Sequence, residues 1–161
     1  MMRTLAALAL CFALAACGFH PLYGDTRLQP QLSAIFVEPI REETGYELRN
    51  SLIDVLGSNG VERGKAYRLT ITLTDLNQGV ALQNDATITR YNDTLTANYV
   101  LTDARGQELW HGALTALSSY NVSNAPYATL AARQDSDKRA AQDLAQRIGL
   151  DLGVYFRRHK L

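Results

Sequence analysis

The sequence predicts a single α/β domain of two layers, a mixed four-stranded sheet with two helices packed on one face, in the order β-α-β-β-β-α. Three observations carry that expectation. The 161 residues suit one domain plus a short appendage. Apolar residues alternate at period two through the middle of the chain and recur at helical spacing before and after it. The face opposite the apolar alternation is rich in threonine, so it needs no second covering layer.

The elements follow in order. SAIFVEP, Ser33 to Pro39, is a brief first strand stopped by Pro39. In ETGYELRNSLIDVLGSNG, Leu48, Leu52, Val55 and Leu56 share one helical face, and Gly57 and Gly60 end a helix of about three turns. Tyr67, Leu69, Ile71 and Leu73 then alternate with Arg68, Thr70, Thr72 and Thr74, which makes a strand with one packed and one wet face. After a polar stretch, ATITRYNDTLTANYVLTDARGQELWHGALTALSSYNV reads as a long hairpin. Its first arm sets Leu95, Ala97, Tyr99 and Leu101 on one face. Asp103-Ala104-Arg105-Gly106 makes the turn, and Trp110, Leu114 and Ala116 continue in the second arm. From about Tyr127 to Arg157, the spacing of Ala141, Leu144, Ala145, Ile148, Leu152 and Tyr155 predicts a long amphipathic helix.

The start of the chain is of another kind. Residues 1–16 have a cationic Arg3 and the apolar run LAALALCFALAA, too short for the roughly 20 residues of a membrane-spanning helix. They read as an export signal. An ordinary signal would end at an A-x-A-like site, whereas Leu14-Ala15-Ala16-Cys17 matches the bacterial lipobox, after which the cysteine thiol carries a diacylglyceryl group. Cys11 would leave with the leader, so the mature chain keeps only Cys17 and no internal disulfide. Several acyl chains on one residue give a lasting membrane anchor. Asp after such a cysteine commonly signals retention in the inner membrane, so Gly18 favours the outer one. Residues 17–32, with Pro21, Gly24, Asp25 and Pro30, form the lipidated N-terminus and an irregular tether, and residues 33–161 form the single domain.

Chemistry is harder to find. Lys+Arg and Asp+Glu are equal at 16 each, so no global field draws nucleic acid or an anionic surface. His20, His111 and His159 have no metal-ligand spacing, and no metal or other cofactor is expected. There is no G-x-S-x-G elbow, no Walker loop and no G-x-G-x-x-G after a strand, so an enzyme is not expected. The acid pairs Glu42-Glu43 and Asp135/Asp137 suit solvated helix starts better than catalysis. What remains are cations able to grip a phosphate: Arg90 beside Tyr91, Arg133 near the last helix's start, and Arg157-Arg158-His159-Lys160 at the end. Taken singly, each is more simply a solvated surface cation, and the terminal group a complement to the helix dipole.

The lipobox, the CGFHPLYG that begins at Cys17, the element order and TRYNDTLTANYVL together resemble the LptE family of lipopolysaccharide-assembly lipoproteins, over nearly the whole chain. The resemblance implies an outer-membrane lipoprotein with no bond-making activity. It would plug the LptD β-barrel from the periplasmic side, help it assemble, and bind lipopolysaccharide for delivery to the outer leaflet. Arg90 is the lipopolysaccharide-binding residue the resemblance carries over by position; Arg133 follows with a one-residue shift in APYATLAARQD. Two other classes stay open: an auxiliary lipoprotein of an ABC-type lipid-trafficking system, and an envelope hydrolase with an unrecognised site.

Overall fold

A computed structural model describes residues 28–82 and 88–159; Cys17 and Lys160 lie outside them. The elements are α1 (Gln29–Ser33), β1 (Ile35–Val37), α2 (Glu43–Leu56), β2 (Tyr67–Leu82), β3 (Ile88–Asp103), β4 (Glu108–Asn121) and α3 (Pro126–Arg158). The sheet order is β1-β2-β3-β4. β1 runs parallel to β2 and the other pairs are antiparallel, so the sheet is mixed as expected.

The apolar alternation selects the covered face. Leu69, Leu95, Tyr99 and Leu101 are buried beneath Leu48, Leu52 and Leu56 of α2 and Leu144, Ile148, Leu152 and Phe156 of α3. Each such aliphatic or aromatic side chain contributes about 1.5–3 kcal/mol on leaving water. The other face stays open and mainly polar, with Thr96 and Thr115 hydroxyls 3.1 Å apart across β3 and β4 and with Leu76 and Leu117 exposed on either side of Thr94. Toward one edge of it Arg68 pairs with Glu38 at 2.7 Å and also with Glu62.

Local chemistry explains the boundaries. Gly57 caps α2 in the left-handed conformation at φ 63°, where a Cβ would be strained. The β3–β4 turn closes on Asp103, whose Oδ1 accepts from the N–H groups of Arg105 and Gln107 at 2.8 Å, with Gly106 at φ 81°. α3 begins with Pro126 in its first turn, and Thr129 Oγ1 accepts from Ser123 N–H at 2.9 Å. At its other end Arg157 and Arg158 lie in the last turn, complementing the dipole.

Two segments differ from the sequence expectation. Residues 28–32, assigned to the irregular tether, are packed against the domain. Pro30 opens the short helix α1, Leu28 and Leu32 are buried, and Gln29 Nε2 reaches the Leu56 carbonyl at 3.5 Å. The polar stretch after Leu73 is strand, not an interruption: β2 keeps its register with β3 from Tyr67↔Asp103 to Gly79↔Tyr91. Asp75 and Asn77 have low strand propensity, but ladder bonds to β3 override it.

The two helices differ in reach. α3, at 33 residues, is about 50 Å long and matches the 16-residue β3, whereas the 14 residues of α2 extend about 21 Å. They run side by side in the same direction, with Gln134 near Glu43 and Gly149 near Val55. The first two turns of α3 therefore project past α2. β4 is an edge strand, and Arg147 Nη1 donates to its Thr115 carbonyl at 2.7 Å, occupying one group of that edge.

Candidate functional site

The end of the sheet where β3 begins and α3 starts differs from the rest. It has one helix above it and exposed apolar side chains at Leu76, Val80, Leu117, Tyr127 and Leu130. Both predicted phosphate-gripping residues lie here. Arg90 pairs across the sheet with Ala81 and Asn121, is exposed, and donates from Nη2 to Ser119 Oγ at 3.3 Å. Arg133 is exposed on the third turn of α3, with Nε 3.9 Å from Asp137 Oδ2.

The structure does not gather them into one pocket. Strand alternation sends Tyr91 to the helix-covered side, where it stacks on Tyr120 at 5.5 Å, and so turns Arg90 to the open face. Arg133 belongs to the helix on the other face. The two cations thus flank the same end from opposite sides. Of the terminal cluster, His159 is engaged locally: its ring stacks on Tyr155 at 4.5 Å and its N–H donates to the Tyr155 carbonyl at 3.0 Å.

Between these cations is a polar group that no sequence motif marks. Asp93 is 2 % exposed and lies against Asp75 of β2 and Asp137 of α3. Burial, then hydrogen bonding and repulsion from those two carboxyls, push its pKa up to about 8. Nearby, Ser136 donates to Ser118 at 2.8 Å, and Asn77 donates to the Tyr120 hydroxyl at 3.2 Å. Asp137, expected as a solvated acid, is turned inward, because α3 starts at Pro126 and its fourth turn, not its first, carries this residue. Asp135 does face water and pairs with Arg139. The signal for Asp93 was present: it holds the same strand parity as Leu95, Ala97, Tyr99 and Leu101.

Among the described residues no helix is long and apolar enough to cross a membrane, and no set of three His, Cys, Asp or Glu side chains is arranged to hold a metal.

Known proteins share this architecture. The chain is similar to a lipoprotein from Caulobacter crescentus, described as putative, with 29% identity and a TM-score of 0.71 over 84% of this chain and 99% of that one. The rare lipoprotein B of Shewanella oneidensis, 12% identical, shares the fold at a TM-score of 0.60 over 79% of this chain and 97% of its own. An uncharacterized protein of Rickettsia prowazekii (strain Madrid E) is 28% identical over 158 residues, covering 96% of this chain and 98% of that protein. The model of the LptE family, described as lipopolysaccharide-assembly, matches residues 32–152. That match runs from α1 through the core of α3, and by it the chain belongs to the LptE family of lipopolysaccharide assembly.

Proposed function

We propose that this lipopolysaccharide-assembly protein is anchored to the outer membrane through Cys17, plugs the LptD barrel from the periplasmic side, assists its assembly and binds lipopolysaccharide with Arg90 and Arg133. The family membership carries the proposal. The geometry supports it. A barrel of more than about 20 strands leaves a lumen that must be filled, and a long domain with one open, mainly polar sheet face suits a water-lined interior. The chain enters the domain at Leu28, beside the C-terminal end of α2, whereas Arg90 lies eleven residue steps from Leu101, about 37 Å along β3. Leu28 and Arg90 thus lie at opposite ends of the domain.

No bond is made or broken in the proposed action. The two guanidinium groups compete with bridging divalent cations for lipid A phosphates, so lipopolysaccharide molecules leave their aggregates one at a time. Facing opposite sides, Arg90 and Arg133 suit a ligand with two separated phosphates better than a single one.

Affinity purification from detergent-solubilised envelopes tests the partner: a large barrel should copurify, and recovery of an ABC transporter instead would transfer the protein to the trafficking class. For the ligand, Arg90→Glu should weaken binding to purified lipopolysaccharide about tenfold, and Arg105→Glu, in the distant β3–β4 turn, much less. Equal losses would sink the assignment of Arg90. The double variant Arg90→Glu/Arg133→Glu should still retain the barrel, because plugging uses the body of the domain.

A further inference from the structure

Three carboxyls from three elements meet at the margin between the sheet and α3, the one from β2 exposed. Asp93 of β3 is buried, with Asp75 of β2 and Asp137 of α3 against it. Were all three charged, Oδ1 of Asp93 and Oδ1 of Asp137 would both be buried without a donor. One proton cures both faults. It neutralises the most buried acid and gives it an O–H to donate to a neighbouring carboxylate.

Among the described residues no cation supplies the missing donor. In its sheet row Asp93 has Asn77 of β2 and Ser118 of β4 beside it, neither of them titratable. Two residues further along, Tyr91 and Tyr120 stack on each other. α3 supplies Ser136, already bonded to Ser118, together with Arg133, 3.9 Å from Asp137, and Lys138. α2 supplies Glu43 and Glu47, which share with Asp137 and Lys138 an open cleft of about 320 Å3. Both cations lie on α3 beside Asp137, and neither bonds to Asp93.

We propose that Asp93 is a proton-operated clasp: protonated, it donates its single O–H to the Asp137 carboxylate and holds α3 to β3, and deprotonated, its charge adds to those of Asp75 and Asp137 and drives the N-terminal third of α3 off the sheet. The helix is placed to respond, because its first two turns extend past α2 and bury no side chain. Proton loss also adds negative charge beside Asp137 and Arg133, so the protein holds that cation more tightly against a competing phosphate. This last consequence, though not the clasp, rests on the proposed role of Arg133.

The raised pKa sets the sign. An acid held protonated in the folded state and ionised in the unfolded state makes the fold bind more protons, so stability falls as pH rises toward 8 and levels off above it. Thermal unfolding of the full chain between pH 5 and pH 9, with amide protection measured along α3, tests the clasp. Tm should fall by about 5 °C or more across that range, with protection lost in residues 126–137 before residues 144–156. Asp93→Asn keeps a donor without a charge and should flatten the profile and raise Tm at pH 9. If that variant fails to fold, Asp75→Asn should reduce the slope instead. An unchanged slope in the variant that folds overturns the proposal. So does a rise in Tm at pH 9 on adding millimolar Ca2+ that Asp93→Asn abolishes, since the cluster would then hold a cation and not a proton. No lipopolysaccharide is present in these measurements, so the clasp stands or falls separately from the ligand assignment.

Discussion

The hydroxyl of Tyr99 in β3 donates to Oδ2 of Asp151 in α3 at 2.5 Å, and Trp110 Nε1 of β4 shares the same oxygen at 2.8 Å. One carboxylate thus ties α3 to two strands at the end of the sheet away from Arg90. Burial, then the Asp151 carboxylate, holds the Tyr99 phenol above its usual range, so it remains a donor at any ordinary pH.

Removing that acceptor should be costly. Asp151→Ala leaves a buried hydroxyl and a half-buried indole N–H without a partner, and should destabilise by about 1–3 kcal/mol. Tyr99→Phe removes one donor and leaves no orphan, so it should cost less, about 0.5–1.5 kcal/mol. Urea unfolding read by Trp110 fluorescence measures both. The reverse order would show that packing around Tyr99, and not the bond, matters there.

Gly112 is coupled to the same bond by sterics. A Cβ there would collide with the Tyr99 hydroxyl oxygen and with its ring carbon Cζ, so Gly112→Ala must displace the phenol from Asp151. We expect a loss of about 1–3 kcal/mol, a small part of it recovered in Tyr99→Phe/Gly112→Ala, where the oxygen is gone and only the ring carbons still obstruct. A double-mutant cycle with strictly additive losses would disprove the coupling.

At Gly149 two effects oppose each other. Alanine favours a helix over glycine by about 1 kcal/mol, yet its Cβ would stand 2.5 Å from Val55 Cγ1, where α2 and α3 come together. Val55 is β-branched and stiff in a helix, so it cannot rotate aside. The clash should win: Gly149→Ala is expected to lower Tm by several degrees in calorimetry.

Glu38 has the opposite pH sign to Asp93. The Arg68 guanidinium, aided by the Thr70 hydroxyl, holds its carboxyl below the usual range against the opposing effect of burial. Its contribution is therefore present at neutral pH and lost as pH falls below about 4.5 through the folded value. The pair is partly exposed, so Glu38→Gln should cost at most about 1 kcal/mol at pH 7 and less at pH 3. Stability curves at the two pH values check this, and 1 M salt should shrink the difference.

Much of the architecture was legible because it is local. The apolar parity of Tyr67 to Leu73 and of Leu95 to Leu101, the helical spacing of Leu48 to Leu56 and the Asp103–Gly106 turn each depend on neighbours a few residues apart. The lower-propensity stretches were not. Residues 75–82 are strand because β3 pairs with them, and α1 exists because Leu28 and Leu32 find a core supplied by distant segments.

The sequence by itself determined the class of the fold, the order of its elements, the resemblance that names its family and the two cations worth testing. Only the tertiary structure decided that Arg90 and Arg133 stand on opposite faces of one end, and that Asp93 meets Asp75 and Asp137. The physical reason is that periodicity tells which side of its own element a residue occupies. The partner it meets there depends on register between strands and on where along the sheet a helix lies, and those are set by packing across the whole molecule.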